Sequence, residues 1–127
     1  MYEYKAKILR VVDGDTIELL VDMGMNRWSL EHIRFSDIDT AELRSSNAAE
    51  RQHAQEAKAY VQGVFAPCLE KRTTLREHLK SHDLTIRTQK EGSFGRFIAS
   101  VYPVGDGVSL GLTMKDLGLA KKSEYPE

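Results

Sequence analysis

The sequence has little of several things, and each shortage excludes something. It has one cysteine, Cys68, so no disulfide can form within the chain and nothing requires an oxidising compartment. No apolar run approaches the roughly 18 residues of a membrane span. The opening stretch MYEYKAKILR lacks the apolar core of a secretion signal. A cytoplasmic location away from membranes is the expectation. Charge of one sign is not in excess either: 18 Lys and Arg stand against 19 Asp and Glu. A basic surplus is the usual footprint of nucleic-acid binding, so any such role must rest on local charge. Repeats, linkers and low-complexity tracts are also missing, and residues 1–127 read as a single domain. What is there is ordinary soluble material, 41% hydrophobic and 29% charged. At this length one core can bury about two-thirds of the unfolded chain's surface.

The stretch VVDGDTIEL, Val11 to Leu19, interrupts an apolar, β-branched run with Asp13, Gly14 and Asp15. Strands deplete Asp and Gly, so the run splits into two strands, about Lys5–Val12 and Thr16–Val21. The Asp13–Gly14 pair is a hairpin-turn signal between them. MGMN marks a second turn before a third strand, Trp28 to Ile38. Ser45, Ser46 and Asn47 form a polar break suited to capping a helix. From Ala48 the period changes. Ala54, Ala57, Val61, Val64 and Phe65 recur at three- and four-residue steps, as on an amphipathic helix, and Pro67 marks its expected end. A short second helix is expected from Thr74, with Leu75 and Leu79 inward. LTIRT and RFIASVYPV read as strands, joined by the loop QKEGSFG. VSLGLTMKDLG reads as a last short helix, with Gly111 costing it about 1 kcal/mol against alanine. The fold class expected is mainly β with helices (α+β): five antiparallel strands in a small, partly open OB-type barrel with two or three helices.

Three stretches carry chemistry. DGDT holds Asp13 and Asp15. RFSDIDTAE holds Arg34, Asp37, Asp39, Thr40 and Glu42. FGRF holds Arg96. Phosphodiester hydrolysis needs such parts. A hard divalent cation takes oxygen ligands. The attacking water needs a base. The charge on the five-coordinate phosphorus needs fixed cations, and arginine's planar fork binds two phosphate oxygens at once. Taken singly, each stretch has a plainer reading. DGDT can be a hairpin with Asp15 exposed. Arg34 can be a solvated edge residue or half of an ion pair. DTAE can cap a helix, and Arg96 can be a surface charge. The four histidines show no ligand spacing and read as structural or solvated. Asp37 shares strand parity with Ile33 and Phe35, so the strand is expected to end or bend there, and no role falls to it.

Together the stretches resemble the staphylococcal nuclease (thermonuclease) family over most of the chain. VVDGDTIEL resembles its first signature. RFSDIDTAE resembles its second, an arginine followed after four residues by Asp-Thr-Pro-Glu. FGRF resembles its Tyr-Gly-Arg at a strand start, and LGLA resembles its Gly-Leu-Ala after the second helix. The resemblance implies a calcium-dependent nuclease acting on DNA and RNA, single strands preferred, with little sequence choice and 3′-phosphate products. It implies that Asp15 and Asp39 ligate Ca2+ through carboxylates and Thr40 through its carbonyl. Glu42 would position or deprotonate water, and Arg34 and Arg96 would grip the phosphate. Asp13 is assigned to the turn and left out of the metal shell.

The chain departs from the family pattern in four places. Ala41 replaces the proline, and Phe94 replaces the tyrosine. About a dozen extra residues lie from Cys68 to His82. The sequence stops at Glu127, soon after LGLA, so the family's last helix is expected to be absent. None of these removes an implied ligand or arginine. Local charge also fits the implied activity. Six Lys and Arg stand against three acids from Leu69 to Lys90, and six acids against three arginines from Glu31 to Glu56. The alternative expectation is a catalytically silent barrel that binds nucleic acid or protein partners. Such a domain would be free to lose the acidic and arginine positions, and here they are kept.

Overall fold

The computed structural model describes residues 2–70, 81–91 and 97–126. Five strands run in the order β1 Tyr2–Asp13, β2 Thr16–Asp22, β3 Trp28–Phe35, β4 Leu84–Glu91 and β5 Phe97–Pro103. Helix α1, Ala48–Glu70, joins β3 to the second pair of strands, and α2, Leu110–Asp116, follows β5. The expected helix from Thr74, with Leu75 and Leu79, lies outside the described residues. So do Phe94 and Arg96. Among the described residues no helix is long and apolar enough to cross a membrane.

The strands form a closed barrel in the order β1-β2-β3-β5-β4, whereas a partly open one was expected. Closure runs through β1, which is long enough to serve two neighbours. Its first half, Tyr2 to Ala6, pairs with β4, and Ala6 to Asp13 pairs with β2. Irregularities at Ile8/Arg10 and Val11/Asp13 bend it round the corner. The expectation of antiparallel strands throughout also needs correction. β3 and β5 pair in parallel, with Ile33 opposite Phe97 and Arg34 opposite Ile98. Five is odd, so a closed ring cannot alternate direction at every step.

Alternation along the strands makes the core. Ile17, Leu19 and Val21 of β2 point inward, as do Ile33 and Phe35 of β3, Leu84 and Ile86 of β4, and Ala99 and Val101 of β5. Ala57, Val61 and Phe65 of α1 join this cluster, and Leu110 and Met114 of α2 complete it. Asn47 starts α1: its Oδ1 accepts the N–H groups of Ala49 (2.9 Å) and Glu50 (3.1 Å). Pro67 does not end α1, which continues to Glu70. The bond its ring removes falls in the last turn, where little helix remains to lose. One lysine is buried on the outer face. Lys7 meets Asp83 at 3.2 Å, and Asp83 also accepts the Ile8 N–H at 2.9 Å, which pins the start of β4 onto β1.

β3 ends at Phe35, three residues before the expected Ile38. The Ser36 N–H goes to the Ala99 carbonyl at 2.9 Å, and the chain then leaves the sheet. Asp37 is drawn toward α2 instead, where its carboxylate accepts the hydroxyl of Ser109, the α2 N-cap. Gly111 is needed there, because a Cβ would stand 1.9 Å from Asp37 Oδ1. The helix-propensity cost of Gly111 thus accompanies room for Asp37.

Phe65 is the largest side chain that α1 places in the core, and it is 1% exposed. Phe65→Ala should cost about 3–5 kcal/mol. Urea unfolding checks this, and a loss below about 1 kcal/mol would mean that the helix does not close the core.

Candidate active site

The β1–β2 turn starts the site. Asp13 ends β1, Thr16 begins β2 and the two pair, so the central turn residues are Gly14 and Asp15 rather than Asp13 and Gly14. Gly14 is required by close approach. A Cβ there would lie 2.7 Å from Ala57 Cβ and 2.8 Å from Thr40 Oγ1. The turn is wedged between α1 and the loop after β3.

That wedge brings Asp15 against the loop. Its backbone carbonyl accepts the Phe35 N–H at 2.8 Å. Its Oδ2 accepts the Thr40 N–H at 3.2 Å, and its Oδ1 accepts the Thr16 hydroxyl at 3.2 Å. The side chain is 12% exposed. The plainer reading, an exposed hairpin carboxylate, is therefore incorrect. Burial pushes the Asp15 carboxyl up to about 6 from an ordinary 3.8, and neighbouring Asp13 adds to the rise, while the Thr40 N–H and Arg34 oppose it.

Asp15, Thr16, Arg34, Thr40, Ala41 and Glu42 line one polar cavity of about 350 Å³, together with Asp13. Arg34 stands beside Thr16 in the β2–β3 pairing. Its Nε lies 4.0 Å from Asp15 Oδ2, and its Nη2 is paired with Asp39. The Asp39 side chain is 71% exposed and reaches the site through that arginine. Glu42 is exposed at the cavity wall. Arg96 lies outside the described residues.

The expected residues thus stand in three relations to the site. Asp15, Arg34, Thr40 and Glu42 share the cavity. Asp39 joins them through Arg34. Asp13, kept out of the metal shell by the sequence reading, accepts the Asp15 N–H at 3.3 Å as a turn residue and also faces the cavity. The signal for it was present in the sequence, as the first carboxylate of DGDT. Among the described residues no group of three or more His, Cys, Asp or Glu side chains is gathered as a ready metal cage. The donor set for a cation is smaller: the Asp15 and Asp39 carboxylates and the Thr40 carbonyl. All are oxygens, as calcium prefers, and Asp15 is a carboxylate short of positive charge. By their chemistry these donors suit that ion, which would compete with Arg34 for the Asp39 carboxylate. Compared with models of known protein families and with curated protein sequences, the chain matches none.

The raised Asp15 carboxyl has a consequence for stability. Below about pH 4 it is protonated in both folded and unfolded chains. Between about 4 and 6 the folded chain keeps a proton that the unfolded chain releases, so stability falls as pH rises. Asp15→Asn should flatten that slope and, in chelator at pH 7, stabilise the protein by about 1–2 kcal/mol. Denaturation at several pH values checks this. A variant less stable at pH 7 with the slope unchanged would contradict it.

Proposed function

We propose that this chain is a calcium-dependent nuclease of the staphylococcal nuclease type. It hydrolyses phosphodiesters of DNA and RNA with little sequence preference and leaves 3′-phosphates. The observation that supports this best is the single polar cavity shared by Asp15, Arg34, Thr40 and Glu42. The family resemblance of the three stretches supplies the identity of the reaction. Asp15, Asp39 and the Thr40 carbonyl would hold Ca2+, which when bound supplies positive charge to the phosphate.

The residues divide the remaining work. Arg34 is 41% exposed, so its fork can turn from Asp39 to two phosphate oxygens. It then steadies the charge that grows as water adds to phosphorus. Glu42 takes a proton from that water. The P–O5′ bond breaks, and the departing oxygen takes a proton from solvent water to leave as the 5′-hydroxyl. Arg96 is the second phosphate grip that the resemblance implies. Water attack needs solvent access, and the exposed Glu42 at the cavity wall has it.

The test is incubation of the protein with a single-stranded oligonucleotide, first with calcium and then with chelator. Cleavage should require calcium, and Asp15→Ala should abolish both cleavage and calcium binding. Arg34→Lys keeps the charge but loses the fork, and should lower kcat/KM by about 10²–10³. Glu42→Gln should lower kcat with substrate binding nearly intact. Wild-type rates in both variants would remove the catalytic assignment. Calcium-independent binding without cleavage would favour the silent binding module.

A further inference from the structure

Asp39 meets the site through a mostly exposed side chain paired with Arg34, and its main chain is held separately. The segment 117–126, which follows α2, does this. The Lys121 N–H donates to the Asp39 carbonyl at 2.7 Å. That segment is in turn held by one imidazole. His53 of α1 is 8% exposed, and it touches the segment at two points. Its Nε2 lies 2.9 Å from the Gly118 carbonyl, and its Nδ1 lies 2.7 Å from the Tyr125 hydroxyl. A carbonyl only accepts, so Nε2–H donates to it and Nδ1 accepts the hydrogen bond of the Tyr125 hydroxyl. The same hydroxyl accepts the Lys122 N–H at 3.0 Å. The clamp therefore spans the chain from Gly118 to Tyr125, and Lys121 lies inside the span.

Two further side chains, Asn47 and Glu50, fasten the segment to the start of α1. Asn47, the helix cap, turns its Nδ2 to the carbonyls of Tyr125 (3.4 Å) and Pro126 (3.1 Å). The Lys121 ammonium lies 3.6 Å from Glu50. The chain of contacts runs from α1 through His53 and Tyr125 to the Lys122 N–H, and the adjoining Lys121 N–H ends it on Asp39.

We infer that His53 and Tyr125 are positioning residues for Asp39, acting on cation affinity through the Lys121 N–H. The inference rests on Asp39 being a calcium ligand. With the clamp loosened, the Asp39 carbonyl loses its donor, the carboxylate samples more positions, and holding it on a cation costs more entropy.

The experiment uses the full chain, well below its Tm. Tyr125→Phe removes one hydroxyl and keeps the ring. Amide exchange by NMR should show faster exchange at Lys121 with no change at Ile33 in the core. Calorimetric titration should show calcium binding weakened about three- to tenfold, the span of one lost hydrogen bond. Val61→Ala serves as the control, since it weakens the core without touching the segment. It should lower Tm and leave calcium affinity unchanged. Equal loss of affinity in both variants would show a merely structural role and overturn the inference. Unchanged Lys121 exchange would overturn it as well. Should Tyr125→Phe fail to fold, His53→Gln is read by the same two measurements. A wild-type protein that binds no calcium overturns the ligand reading of Asp39 and the positioning role with it. That result is distinct from calcium binding that ignores the clamp.

Discussion

The site depends on how Asp15 is held. Its carbonyl accepts the Phe35 N–H and its carboxylate accepts the Thr40 N–H, so one residue ties the first hairpin to the loop that leaves β3. The tie is possible because Gly14 lets the turn press against Ala57 and Thr40. It leaves a carboxylate largely withdrawn from water, with the Arg34 guanidinium at 4.0 Å. Such a group is costly when ionised and gains from any positive charge that arrives. A cation held at that polar cavity, as proposed, would offset part of this cost.

Asp39 is the opposite case. Its carboxylate is exposed and paired with Arg34, and its precision comes from what surrounds it. Asp37 seats the loop on the start of α2, and the Lys121 N–H holds the Asp39 carbonyl. On the proposed reading, Asp15 is the buried ligand and Asp39 the exposed, tethered one. In the proposed reaction Arg34 would leave Asp39 for a phosphate, and Asp39 would turn to the cation. The core under them, from Ile33 to Phe65, does not need to move.

Much of this was legible in the sequence, for physical reasons. The alternation of Ile17, Leu19 and Val21 and the steps from Ala54 to Phe65 report a buried face directly. The polar break before Ala48 signalled a cap, and Asn47 is that cap. What was hidden depends on distant partners. Gly14 reads as a turn glycine, but its need comes from Ala57 and Thr40. Gly111 reads as a weak helix residue, but it makes room for Asp37. Lys7 has the parity of a solvated lysine until Asp83 covers it. His53 carries no spacing signal, since its partners Gly118 and Tyr125 are 65 and 72 residues away. The order of elements suggested an OB-type barrel, and the parallel β3–β5 pairing follows only once the ring is known to close.

Asp15 is a largely buried carboxylate, and the proposed function gives it a calcium ion to hold. NMR titration of its side-chain carboxyl, in chelator and in saturating calcium, tests this directly. In chelator the carboxyl should titrate near 6. In calcium it should stay ionised to well below its ordinary value, because the bound ion competes with the proton. A titration unmoved by saturating calcium would contradict the account.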